Sequence, residues 1–227
     1  MKYRVAICLS GFMRTFDKCY QSLLDNIINC NPNFEFDFFI HTYSNYPKEV
    51  EDIIDKIKPK KIVIEDYDEC KHLFTDDFFY KNPYHDSLTS NYFKLKEKTL
   101  SMFYKIYHSN NIKILFEKEN NFIYDYCIRI RPDLFFNQNI LLDNIDNNFI
   151  YINSIVFDNV KSGTIIFNDM GLCNDQFSIS SSKNIDLYSS VYLNINSDTF
   201  LHQETMLYQT IKNFPIKYED FNFFILR

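Results

Sequence analysis

The chain has 227 residues, a length that suits one sizeable domain with a true buried core. A net charge of −6 and an isoelectric point near 5.4 argue against a general nucleic-acid binder, which needs a basic stripe. They leave room for a small local basic site suited to a phosphate-bearing small molecule. Six cysteines without a CxxC pair argue against a zinc ribbon and read as reduced thiols of a cytoplasmic protein.

The first element is a strand, Tyr3 to Leu9, ending at Ser10-Gly11. The same stretch, "YRVAICLSG", is too short for a signal peptide and runs directly into Arg14. A helical segment from Thr15 to Asn29 follows, with Leu23, Leu24, Ile27 and Ile28 on its apolar face. "FEFDFFIHTY" reads as a second buried strand, "YPKEVEDIIDKIKP" as an amphipathic helix stopped by Pro59, and "KKIVIED" as a third strand. This β-α-β-α-β opening predicts a parallel sheet with helices on its faces. From Asp68 to Thr89 the chain reads as a loop. "NYFKLKEKTLSMFYKIYHSNN" then reads as a long helix with Phe93, Leu100, Phe103, Ile106 and Tyr107 as its apolar stripe.

"YDYCIRI" is the next strand, and "NFIYINSIVF", "GTIIFN" and "DQFSIS" are short strand candidates. "SKNIDLYSSVYLNI" and "HQETMLYQTIKNF" read as helices, and the tail "FNFFILR" as either a last core strand or an interface segment. No run approaches the roughly eighteen apolar residues of a membrane span. No linker or repeat divides the chain, so a single domain is expected over residues 1–227, α/β in class, with a mixed, mostly parallel central sheet flanked by helices.

Several stretches carry chemistry-bearing residues where a parallel sheet places its ligands, beyond the carboxyl ends of the strands. Ser10 and Gly11 end the first strand, and Arg14 is a fork-shaped donor suited to phosphate; a plain strand-to-helix turn reads equally well there. His41 and Thr42 end the second strand, as a ligand contact or as structural residues. In "YDYCIRIRPDLFF", Arg129, Arg131 and Asp133 fall at every second position and share one face of a strand. Pro132 marks where its ladder stops. Such charges are costly to bury unless paired, so two readings fit: an internal salt bridge, or a strand tip presenting Asp133 to a metal and the arginines to phosphates. Asp175 follows the Gly171–Asn174 loop as a candidate general base or a turn cap. His202 and Glu204 open a late helix, as a metal ligand and its neighbour or as groups that satisfy the helix dipole.

Taken in order, these stretches resemble the GT-A class of nucleotide-sugar-dependent glycosyltransferases, in particular those of bacterial surface-polysaccharide clusters and large viruses. The likeness rests on "LSGFMRTF", "DFFIHT", "KTLSMFYKIY", "YDYCIRIRPDLFF", "NDQFSISS" and "HQE". It implies a GT-A-like, Rossmann-like sheet with a nucleotide-binding half over about residues 1–136 and an acceptor half over about 137–227. It also implies a nucleotide near Ser10, Gly11, Arg14, His41 and Thr42, with Arg129 and Arg131 handling or orienting the diphosphate. Asp133 and His202 would hold Mn²⁺ or Mg²⁺, and Asp175 would deprotonate the acceptor hydroxyl. Arg131 stands where the family's Asp-x-Asp metal motif has its first acid, so a guanidinium could itself neutralise part of the diphosphate. The expected activity is hexosyl or deoxyhexosyl transfer from a nucleotide-sugar donor to a glycan hydroxyl. A non-catalytic glycan- or nucleotide-binding domain with the same fold is the alternative.

Overall fold

The computed structural model describes residues 2–75, 90–154, 156–159, 163–166, 172–195 and 202–226. Its centre is β1 (Tyr3–Ser10), which pairs in parallel with β2 (Phe34–Tyr43) on one side and β4 (Tyr126–Ile130) on the other. β3 (Lys61–Glu65) extends the β2 side in parallel. Beyond β4 lie β9 (Phe177–Ser180), β6 (Ile150–Asn153) and β10 (Ile216–Glu219), giving a seven-stranded sheet of order β10-β6-β9-β4-β1-β2-β3. β9 runs antiparallel to both its neighbours, so the sheet is mixed but mostly parallel, in a Rossmann-like arrangement with helices on both faces. β5 (Leu134–Phe136) pairs antiparallel with β11 (Phe223–Ile225), and β7 (Val156–Asn159) with β8 (Gly163–Ile166).

Alternation along β1 divides the core into two layers. Val5, Ile7 and Leu9 join one cluster with Phe16, Leu23 and Ile27 of the first helical segment and Val50 and Ile53 of the second. Ala6 and Cys8 join the other, with Phe103, Ile106, Ile185 and Leu207. The first layer is built by α1 (Phe16–Leu23), which widens into a π-helical turn over Leu24–Ile28, and α2 (Pro47–Ile57). Pro47 sits at the first turn of α2, where its missing N–H costs nothing, and Lys58 ends the helix in the left-handed region at φ 51°.

The segment expected as a loop from Asp68 instead begins with two short helices, α3 (Tyr67–Cys70) and α4 (His72–Thr75). Asp66 caps α3 by accepting from the backbone N–H groups of Asp68 and Glu69 at 2.8 and 3.3 Å. Residues 76–89 of that expectation lie outside the described residues. The long helix α5 (Ser90–Asn120) runs further than its apolar stripe suggests, for 31 residues. It packs on the face opposite α1 and α2. Right-handed crossovers require that change of face when the chain returns from β3 across β1 to β4. Helices α6 (Ser182–Ser189) and α7 (Gln203–Ile211) complete that layer. No helix among the described residues is long and apolar enough to cross a membrane.

α5 is fastened through a buried charge. Lys113 is fully buried, with its ammonium 2.7 Å from Asp186 of α6 and 3.5 Å from Glu117, and it donates to the Ser182 hydroxyl. Removing one partner of a buried pair strands the other in a poor solvent. Lys113→Met should therefore lower the unfolding free energy by about 3 kcal/mol in urea titrations; a change under about 1 kcal/mol would mark the pair as energetically neutral.

Candidate functional site

The strand order reverses between β1 and β4, and a cleft of about 520 Å³ opens at that point beyond their carboxyl ends. Its floor is the turn after β1. Gly11 adopts φ +127°, a conformation that favours glycine, while a Cβ there would make ordinary contact with Pro132 Cδ at 3.4 Å. The Gly11 carbonyl accepts from the Thr42 hydroxyl at 2.8 Å. Thr42 is thus a fully buried brace for the floor and not part of the cleft lining.

One end of the cleft is cationic. Arg131 grips Asp133 with two parallel bonds, Nε to Oδ1 at 2.9 Å and Nη2 to Oδ2 at 2.8 Å. Arg14 adds a third bond to Oδ2 at 3.3 Å. Burial alone would push the Asp133 carboxyl up, but the Arg131 fork and Arg14 outweigh it and hold the group below its ordinary value. The C-terminal strand holds this turn in place. Leu226 N–H donates to the Asp133 carbonyl at 2.8 Å, and the Thr15 hydroxyl donates to the Leu226 carbonyl at 3.2 Å. The tail forms a strand, half-buried against the core through Phe223 and Ile225 with Phe224 exposed.

The other end is aromatic. Tyr43 and Tyr67 meet edge to face with ring centroids 5.0 Å apart, and Phe12 lies 5.0 Å from Tyr43. Their hydroxyls are engaged, Tyr43 with Ser101 at 2.7 Å and Tyr67 with the Glu97 carboxylate, and Tyr43 is itself buried, so the group meets the cleft chiefly through Phe12 and Tyr67. α5 supplies the remaining wall through Lys98, Ser101, Met102 and Lys105. These recur at i, i+3, i+4 and i+7, one helical face, polar but for Met102, that the helical period of the sequence could have revealed. Lys105 is buried, donating to Glu65 Oε2 at 2.6 Å and to the Thr42 carbonyl at 3.1 Å, and its Nζ stands 3.6 Å from the Tyr43 ring centre. Burial brings its pKa down to about 8 despite the pull of Glu65.

Of the residues singled out in the sequence, Ser10, Gly11, Arg14, Arg129, Arg131 and Asp133 come together around this cleft. Arg129 is buried on the face that carries Cys8 and Cys127. Its Nη1 donates to the Gln176 carbonyl, and its Nε has no partner. Beneath it, Asp175 and Tyr188 each keep a buried oxygen without a hydrogen bond, and both act electrostatically on the guanidinium. Asp175 is 3% exposed and does not line the cleft. His41 is also set away from it. The ring is buried, stacked on His108 at 5.1 Å, and its Nε2 lies 3.7 Å from Glu65.

His202 stands half-exposed at the start of α7, with Nδ1 3.0 Å from the Thr205 hydroxyl and 3.5 Å from Glu204. Its neighbour Gln203 is the residue that reaches the cleft. Among the described residues, no three His, Cys, Asp or Glu side chains gather to hold a metal ion. Both oxygens of Asp133 are taken by guanidiniums. Asp133 with His202 is therefore a donor set that does not fit Mn²⁺ or Mg²⁺, which need free oxygen ligands. No family model matches the chain, and no curated protein matches it.

The histidine pair behind the cleft gives an acid signature. Burial, then the charge of Lys105, holds His41 down to about 3 from 6.5; Glu65 opposes the shift and His108 adds to it. Between those values the unfolded chain binds the proton that the folded chain refuses, so stability is lost as pH falls from 6.5 towards 3. His41→Gln should flatten that slope by up to ~1.4 kcal/mol per pH unit in urea midpoints taken across this range. An unchanged acid slope would contradict the burial assigned to His41.

Proposed function

We propose that the chain is a nucleotide-sugar-dependent glycosyltransferase whose donor binds in the cleft between β1 and β4. The observation that carries the reading is the two-ended lining: aromatic rings at one end, guanidiniums at the other, at the switch point of a mostly parallel sheet. A nucleoside diphosphate has that polarity, a flat base joined to a compact anion. The volume, about 520 Å³, falls in the range of roughly 300–1,000 Å³ usual for small-molecule sites.

In the proposed reaction, the bond between the sugar C1 and the diphosphate oxygen breaks, and its electron pair leaves on the diphosphate. The acceptor hydroxyl oxygen bonds to C1, transferring a hexosyl or deoxyhexosyl group to a glycan, and the hydroxyl proton goes to Asp175, which requires Arg129 to move off that buried carboxylate. Preorganised cations around the leaving group lower the barrier, because charge develops there as the bond breaks. Arg14 and Arg131 are the groups this reading assigns to that task, with Arg129 setting the inner edge. All six cysteines are free thiols, which supports action in the cytoplasm.

One observation favours a second reading, a domain that binds nucleotide without catalysis: Asp175 is sealed beneath Arg129 and Asp133 is fully ion-paired. Two measurements separate the readings. A thermal-shift panel of nucleotide sugars should show stabilisation by the right donor, worth about 2.7 kcal/mol at a hundredfold excess over Kd, and Arg131→Ala should abolish it. Asp175→Asn should keep that shift and lose about 10²–10⁴ in transfer rate. Donor binding with no sugar transfer by the unmodified chain would select the binding domain.

A further inference from the structure

This inference rests on the nucleotide-site reading and concerns what neutralises the anion. We propose that the diphosphate is held by the Arg14–Arg131 guanidinium pair, with Asp133 as the positioning residue that aims them, and without a divalent cation.

The geometry of Asp133 is the starting point. Its carboxylate is 3% exposed and accepts three charge-assisted hydrogen bonds, at 2.9, 2.8 and 3.3 Å. A divalent ion at this oxygen pair would have to displace bonds to two guanidiniums while standing beside their positive charges. The reverse arrangement keeps all three of these bonds. A guanidinium carries five N–H donors, of which Arg131 spends two on Asp133 and Arg14 spends one. Among the described residues neither has another hydrogen-bond partner, and both side chains reach solvent, at 26% and 43% exposure. Their remaining donors are available where both residues line the cleft.

Charge accounting agrees. Two guanidiniums share one carboxylate, so the pair keeps a net positive charge, and Lys98 on the facing wall adds to it. Lys105 adds little, because Glu65 holds it from outside the cleft at 2.6 Å. The planar fork of arginine matches two phosphate oxygens at once, which a lysine ammonium cannot do. Asp133 is what fixes both forks in one orientation, so ordering them need not be repeated when the anion arrives.

The test is calorimetric titration of the full chain with inorganic pyrophosphate, in EDTA and in excess Mg²⁺. Binding is expected in EDTA, with Kd changed by less than about tenfold when Mg²⁺ is present. Arg14→Ala and Arg131→Ala should each weaken it by about tenfold or more. Arg131→Lys should not restore it. Asp133→Asn should weaken binding yet leave it indifferent to Mg²⁺, whereas a metal-ligand role would confine the loss to the Mg²⁺ condition. Arg14 is 43% exposed, so its variant tests the idea even where substitution at the buried Asp133 impairs folding. Binding seen only with Mg²⁺ and lost in Asp133→Asn would overturn the metal-free pair while sparing the nucleotide site. Binding in EDTA that survives both arginine substitutions would also overturn it. No heat under either condition would remove the site reading and this inference together.

Discussion

Charge taken out of water beside the central strands must be matched, and the match that Asp133 makes with Arg131 and Arg14 governs how β4 ends and what the cleft can hold. β4 pairs with β1 as far as Ile130, and Pro132, which has no N–H for the ladder, follows at once. The chain turns there, and the turn is what lets Arg131 fold back onto a carboxylate only two residues away. β5 then leaves in a new direction and is held by β11, so the last strand of the chain steadies the turn that carries the ion pair.

The same demand shapes the layer across the sheet. α5 buries Lys105 and Lys113 in a helix that must also present apolar side chains to β1 and β2. Each lysine is admitted because an acid from another element reaches it: Glu65 from the end of β3, Asp186 from α6. These two pairs sit at different levels of the helix and pull on different neighbours. One ties α5 to the cleft side of the sheet, and the other ties it to the helix that covers Cys8 and Cys127. The hydrophobic layer supplies most of the burial, while the ion pairs fix which way the helix is turned.

Much of this is readable in the residues because the first half obeys period rules cleanly. β1, β2 and β3 alternate or run apolar between clear stops, and the helices between them carry Pro47 and Lys58-Pro59 at the expected ends. β5 and β10 escape notice because three- and four-residue strands hold too little pattern, and they exist only through β11 and β6. α3 and α4 escape for the same reason. The site was legible in the order of its arginines but not in its facing. His41 has the right position along β2, at the carboxyl end, yet odd residues of that strand point towards α5, and His108 and Tyr104 close over it. Tyr43, two residues on, is also covered by α5, through Ser101 and Lys105, but borders the cleft. Position along a strand is a local property, whereas cover by another element is not. The salt-bridge reading of "RIRPD" and the phosphate reading turn out to be compatible, because the acid consumes only part of each guanidinium.

That partial consumption decides where the cleft keeps free positive charge. Its lining includes five basic side chains, yet cations count only to the extent that nothing else has claimed them. Glu65 draws the Lys105 ammonium towards the Thr42 carbonyl, away from the opening. Arg129 is sealed at 1% exposure, its Nη1 given to the Gln176 carbonyl and Asp175 within its field. What remains uncancelled and wet is the outer edge of Arg14 and Arg131, with Lys98 opposite. The aromatic group of Phe12, Tyr43 and Tyr67 has its own charges beside it, the Lys105–Glu65 pair against the Tyr43 ring and the Glu97 carboxylate on the Tyr67 hydroxyl. Free positive charge is therefore concentrated at the arginine edge of the cleft. An acidic protein thus claims two of the five cations of this cleft, Lys105 and Arg129, and leaves the other three with free positive charge where two strands part.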